Sequence, residues 1–371
     1  MILSYNDYIK LLDAKIIVID PKPEPSQLQP NSIEVRVGER IWESIKPNFT
    51  VSYINSQILK KYFKPMEMSD GFILEPSKTY IVESYEGIKL PWYIIGETET
   101  KSSVGRVGAI GYALGLRFGK LKPTSIPKKF YFLIENNAFP LKLIPGKTRI
   151  SQIILRKRGT TYLSAKEIRK VYTSVPVEIL EGYEKEEELK KICLIREGEG
   201  LPFSLACREN GLQFTLSLEK IYVQKKVEDS EPIDLTKVEY CDPEDYFEVK
   251  SGEKGKFYME KGKLHLLGSR ETVLQGDVYG RLERMEEESG IGMIHHLAGS
   301  FDLWFYGQCT FEAISYKDRI LVEGQPMAKL ILDLPITGVE KDRRYGRPSV
   351  GSAYRGQSAP TLPKFFKRKN I

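Results

Sequence analysis

Three histidines and four cysteines are few for 371 residues, and their spacing excludes several chemistries. Cys193, Cys207, Cys241 and Cys309 form no CxxC pair, so neither a zinc knuckle nor a dithiol redox centre is expected. His265, His295 and His296 belong to no His-x-Glu segment followed by Pro-Cys-x-x-Cys, so zinc-assisted hydrolysis of the kind that motif supports is not expected, and no metal ligands are assigned. No apolar run approaches the length of a membrane span. The N-terminus has no basic stretch leading into an apolar one, so no signal peptide is expected and a cytoplasmic location is. A net charge of +6 is too mild to argue for a nucleic-acid surface, although it does not oppose an anionic small ligand.

What remains is the composition of an ordinary globular protein, 41% hydrophobic and 29% charged, with enough length for two domains. Strand signals dominate. Ser32–Val37 alternates with Ile33, Val35 and Val37 on one face, and Phe214, Leu216 and Leu218 alternate in the same way. Turns at Gly119–Lys120, Pro145–Gly146 and Glu323–Gly324 separate short apolar runs, the pattern of a barrel or sandwich. Helices are few: one over Asn6–Ala14, and one opened by the capping box Ser164-Ala-Lys-Glu167 and running to about Tyr172. The charged run Tyr183–Lys191 reads as a connector.

The halves on either side of that run look alike. Asn31–Gly38 loosely matches Phe203–Gly211, and Leu141–Leu155 matches Ile320–Leu332, each ending in a strand after a glycine turn. The fold class expected is all-β with a few short helices: one domain over 1–180, a connector over 181–197, a second domain over 198–371.

Lys101-Ser-Ser-Val-Gly-Arg106 is the sharpest local signal. Two cations flank two hydroxyls, and a glycine lets backbone approach a ligand, a combination suited to an oligophosphate. Upstream lies Gln29-Pro-Asn-Ser-Ile-Glu-Val-Arg-Val-Gly38, and downstream the turn and strand Pro145–Gln152. In the second half stands His295-His-Leu-Ala-Gly-Ser-Phe-Asp302, then Phe305-Tyr-Gly307, then Phe311-Glu-Ala-Ile-Ser315.

Together these segments resemble the dCTP deaminase/dUTPase superfamily, and over nearly the whole chain the fused, tandem-domain deaminases. The resemblance implies two dUTPase-like distorted β-barrel or jelly-roll domains. It implies phosphate binding by Lys101, Ser102, Ser103, Arg106 and Gln152. It implies a base and sugar site at His296, Ala298, Gly299 and Asp302, with Glu312 as general acid/base. Tyr345, Tyr354 and Gln357 fit the family's closing tail, and the final Lys-Phe-Phe-Lys-Arg-Lys reads as a solvated basic end, with added attraction for phosphate as the alternative. Each half departs from the pattern where the other keeps it. The first half lacks the base motif; Glu135 reads as a strand-end surface carboxylate, with a displaced acid as the alternative. The second has Met285-Glu-Glu-Glu-Ser-Gly in place of the phosphate motif, and Lys329 in place of Gln152.

The activity this implies is zinc-independent deamination of dCTP to dUTP and ammonia in pyrimidine deoxynucleotide synthesis, with Mg²⁺ accompanying the triphosphate. The alternatives are a dUTP diphosphatase or a bifunctional enzyme making dUMP, and, third, a non-catalytic nucleotide-binding module. The partners implied are dCTP, with dUTP or dTTP as further nucleotides, and copies of the chain itself in a homo-oligomer, a homotrimer by preference; neither nucleic acid nor membrane is expected. Feedback by dTTP is left open by the residues.

Overall fold

The computed structural model describes residues 1–47, 51, 54–114, 120–121, 123–175, 189–226, 230–285, 293–295, 298–350 and 354–368. Among them the expected β-rich architecture is present, with strands in two large antiparallel sheets. No described helix is long and apolar enough to cross a membrane.

The two sheets repeat one plan. In the first half the strands run Ala109–Ala113, Tyr131–Asn136, Lys78–Ser84, Ile33–Ser44, Arg149–Lys157, Ile94–Thr100 from one side to the other. In the second half the matching path is Met293–His295, Tyr306–Ser315, Leu264–Gln275, Gly211–Gln224, Pro326–Asp333, Tyr279–Arg284. In each, the long strand shifts register midway, so that its first part pairs with one neighbour and its last part with another.

Individual hydrogen bonds repeat as well. Ser84 Oγ donates to the Glu86 carbonyl at 2.8 Å and accepts from the Phe130 amide at 2.9 Å. Ser269 Oγ donates to the Glu271 carbonyl at 2.6 Å and accepts from the Cys309 amide at 2.8 Å. The Glu86 carboxylate accepts from the Arg36 amide at 2.8 Å, and Glu271 from the Thr215 amide at 2.7 Å.

These bonds fix which residues correspond. Gln152 pairs with Glu34, and Lys329 with Gln213, so Lys329 does stand at the position of Gln152. The counterpart of Ile33–Val37 is Leu212–Leu216, downstream of the Phe203–Gly211 match read from sequence. That stretch instead contains a short helix, Phe203–Ala206. A string of common strand residues aligns with several registers, and only pairing selects among them.

The helices begin and end near their expected bounds. Ser4 and Asp7 cap Tyr5–Asp13, and Ser164 and Glu167 cap Ala165–Val171, each as a reciprocal capping box. Most of the charged connector lies outside the described residues; the end of the 181–197 segment is strand, Ile192–Arg196, paired with Leu264–Gln275.

The halves share their cores. The Ile2 amide donates to the Leu334 carbonyl at 3.0 Å, and the Met1 amine lies 3.0 Å from Asp333, so the first residues of the chain are bound into the second half. In the other direction, Tyr222, Tyr246, Phe247 and Phe366 pack into the core built around Phe132, Phe139 and Leu141. A short sheet also crosses over, with Leu141–Leu143 parallel to Ile233–Asp234. This interleaving sets one edge of the first sheet facing the second half, and the cavity described next lies there.

Candidate active site

Lys101 closes the strand Ile94–Thr100, and the one-turn helix Ser102–Gly105 follows it directly. The helical turn carries Ser103 into a buried position and Arg106 beyond it. Facing them across a cavity of about 320 Å³ are Ala298, Ser300, Asp302, Thr310 and Glu312 of the second half, and Tyr345, Tyr354, Gln357 and Lys364 of the C-terminal segment. That volume is within the usual range for a small-molecule site. One chain supplies both sides of the cavity, so no neighbouring copy is needed to bring Lys101 and Glu312 to a common space.

One end of the cavity is cationic. The Lys101 ammonium pairs with Glu34, and Arg149 Nη1 lies 3.2 Å from the other Glu34 oxygen. Arg149 also holds Glu24 at 2.9 Å, and the Lys364 ammonium shares this wall. Burial alone would raise the Glu34 pKa, but Lys101, Arg149 and Lys364 together hold it below the usual range. Gln152 lines the same end, where its Oε1 accepts from Ser32 Oγ at 2.9 Å.

The other end centres on Glu312. Its strand, Tyr306–Ser315, places the carboxyl in the interior, 1% exposed. Burial pushes its pKa up to about 7, against the opposing pull of Arg106. Arg106 Nε lies 3.6 Å from Glu312 Oε1, an ion-pair contact longer than a hydrogen bond, while Oε2 has no hydrogen-bond partner among the described residues. Asp302 is held between the two ends. Burial first, then the charge of Glu34, raises it to about 7, with Asn31 and Lys101 opposing. Asn31 Oδ1 in turn accepts from the Leu303 amide at 2.9 Å, a bond between the halves.

The C-terminal segment closes the cavity. Arg106 donates to the Thr361 carbonyl at 3.2 Å, to Thr361 Oγ1, and to Gln357 Oε1 at 3.4 Å, and its guanidinium lies 3.9 Å from the Tyr354 ring centre. Gln357 docks on Gly307, whose φ of +148° suits glycine; a Cβ there would come within 3.0 Å of the Gln357 side chain. Tyr345 packs against Phe305 at 5.5 Å between ring centres.

A family model described as dCTP deaminase-like matches residues 2–158. The dUMP-forming dCTP deaminase of Streptomyces griseus subsp. griseus is 31% identical over 159 residues, which is 42% of this chain and 80% of that protein. The chain belongs to the dCTP deaminase-like family. The dUMP-forming dCTP deaminase of Methanosphaera stadtmanae is 29% identical over 157 residues, covering 41% of this chain and 77% of that one. The crystal structure of 2'-deoxycytidine 5'-triphosphate deaminase from Agrobacterium tumefaciens superposes with a TM-score of 0.74 at 20% identity, over 91% of this chain and 99% of that one. The dUTPase-like fold of the family thus extends through both halves, whereas the family model ends before the segment that carries Glu312.

Most residues singled out in the sequence line this one cavity: Lys101, Ser102, Ser103, Arg106, Gln152, Ala298, Asp302, Glu312, Tyr345, Tyr354 and Gln357. His296 lies outside the described residues. Gly299 is not among the residues lining the cavity; it precedes the short strand Ser300–Phe301, and its carbonyl accepts from the Leu282 amide at 2.8 Å. Arg106 stands beside Glu312 rather than with Lys101, which separates the two cations of the Lys101–Arg106 motif. In the first half Leu133, fully buried, takes the strand position of Glu312, and Glu135 lies two residues further along the same strand. Among the described residues no three His, Cys, Asp or Glu side chains converge as a metal site.

Other lining residues were not singled out. Glu34 and Arg149 lie inside motifs that had been quoted, so their place in those motifs was the available signal. Lys364 opens the basic end, for which the sequence offers phosphate attraction only as the second reading after a solvated one. Phe365 and Phe366 are 1% and 2% exposed, so the end is docked instead. Phe366→Ala is expected to cost about 3–5 kcal/mol of unfolding free energy in denaturant titration, the usual cost of emptying a buried aromatic position.

Proposed function

We propose that this chain is a dCTP deaminase, replacing the C4 amine of the cytosine ring with oxygen to give dUTP and ammonia. The observation that carries this is Glu312: a buried carboxyl with one oxygen unpartnered among the described residues and a pKa raised to about 7, in a cavity whose other end is cationic. A carboxyl so tuned takes a proton from water as hydroxide adds to C4 and the C4–N3 double bond opens; the added hydroxyl's proton goes to N3 as C4=O forms, and the carboxyl returns its own proton to the amine, which leaves as ammonia. The proton balance closes within one turnover, and no metal is required at the carbon centre. Lys101, Ser102, Ser103, Arg149 and Gln152 bind the triphosphate, with Mg²⁺ as its counter-ion. Arg106 stays with Glu312 and sets its charge. Asp302 holds the sugar.

The repeated sheet plan supports a reading as two tandem copies of one domain. Each copy has lost the half-site that the other keeps, Leu133 replacing the acid in one and Lys329 replacing Gln152 in the other. A homotrimer of such chains remains the preferred assembly.

A second reading has one observation in its favour. Asp302 Oδ1 has no partner among the described residues and faces the same cavity, and the relatives from S. griseus and M. stadtmanae carry names ending in dUMP-forming. In that reading the same site goes on to release pyrophosphate. The purified protein with dCTP and Mg²⁺ is expected to release ammonia in proportion to dCTP consumed. Pyrophosphate and dUMP appearing with it would establish the bifunctional reading. Tight nucleotide binding with neither product would overturn the deaminase reading.

A further inference from the structure

We propose that Lys364, in the C-terminal segment, is a ligand for the substrate's phosphates; this rests on the nucleotide reading above. Its side chain lines the cavity at the end occupied by Lys101, Arg149, Gln152 and Glu34. The one buried carboxylate there, Glu34, is already held by Lys101 and Arg149. No ion pair joins Lys364 to a carboxylate among the described residues, whereas Lys101 and Arg149 are matched by Glu34 and Glu24, so the Lys364 ammonium is the charge that makes this wall net positive.

The position of Lys364 is fixed from both sides. The Glu239 amide donates to its carbonyl at 2.9 Å, its own amide donates to Tyr354 Oη at 3.3 Å, and the Tyr240 amide donates to the Phe365 carbonyl at 2.9 Å. Phe366 packs on Tyr246 and Phe247, with ring centres 5.2 and 5.6 Å away. The side chain is therefore presented by a docked segment, and a ligand would meet it preorganised.

A half-buried ammonium beside two other cations is held at a cost that an anion relieves. Burial first, then Lys101 and Arg149, lowers the Lys364 pKa to about 8, with Glu34 opposing. Phosphate oxygens would raise it again, so binding near pH 8.5 takes up a proton.

The test compares the parent with Lys364→Met and Lys364→Arg by titration calorimetry and steady-state kinetics. Lys364→Met is expected to weaken dCTP binding by about 10–100-fold, the worth of a charge-assisted hydrogen bond, with the loss falling on KM more than on kcat. Its affinity for deoxycytidine, which has no phosphate, is expected to stay within about threefold. Lys364→Arg is expected to restore most of the dCTP affinity, because it keeps the charge. It is also expected to abolish the proton uptake that the parent shows at pH 8.5 in two buffers of different ionisation enthalpy. Equal losses for dCTP and deoxycytidine, or no loss for either, would overturn this role and leave the nucleotide reading standing. A parent chain that binds no dCTP would instead overturn both.

Discussion

Glu312→Gln is expected to lower the rate of ammonia release from dCTP by about 10²–10⁴-fold, the usual contribution of a positioned acid/base, while leaving dCTP affinity within a few-fold. Glutamine keeps the shape of the side chain and its capacity to hydrogen-bond, so the cavity lining is preserved. What it loses is the ability to gain and lose a proton. In the parent, kcat is expected to rise with pH through about 7 as Glu312 ionises and becomes a base. Single-turnover ammonia release across pH 5–9 measures both effects. A variant that still turns over at more than a tenth of the parent rate would remove Glu312 from the chemistry.

The same substitution has a consequence for stability, with the opposite sign. A carboxyl whose pKa is raised on folding favours the folded state fully only below its unfolded value, near 4.5, and loses that contribution as pH rises through about 7. Glutamine pays no such cost. Glu312→Gln is thus expected to match the parent near pH 4.5 and to exceed it by about 3 kcal/mol above pH 7. A gain in stability at the expense of turnover is what a strained functional group predicts.

Fold class was legible in the sequence because strand alternation and glycine turns act locally, and Ile33–Ser44 and Gly211–Gln224 formed where Ser32–Val37 and Phe214–Leu218 alternate. The equivalence of Gln152 and Lys329 was legible because both follow a glycine turn into a strand. The Phe203–Gly211 match failed because register is set by partner strands, and no partner is visible in a linear string. The sequence groups Arg106 with Lys101 because Lys101–Arg106 reads as a single polar unit. The intervening helical turn splits it, leaving Lys101 on Glu34 and sending Arg106 to Glu312. The basic end that Lys364 opens is ranked as solvated for a related reason: two aromatics among cations show no docking until a hydrophobic core is available to receive Phe365 and Phe366.

That separation gives Arg106 the second large effect. Its guanidinium is the one cation at Glu312 among the described residues, and it also ties the carboxyl to the C-terminal segment through Thr361, Gln357 and Tyr354. Arg106→Met removes the charge that opposes burial, so the Glu312 pKa rises beyond about 7. The rising limb of the pH–rate profile is expected to move to higher pH by about 1–3 pH units, and activity at pH 7 to fall by about 10–10³-fold. Arg106→Lys keeps a charge but not the planar fork, so its limb is expected to stay near 7 while its rate falls, because Thr361 and Gln357 lose their shared donor. A phosphate ligand would behave differently: either variant would raise KM for dCTP and leave the limb in place. The direction in which the profile moves therefore decides whether Arg106 serves the base or the phosphates.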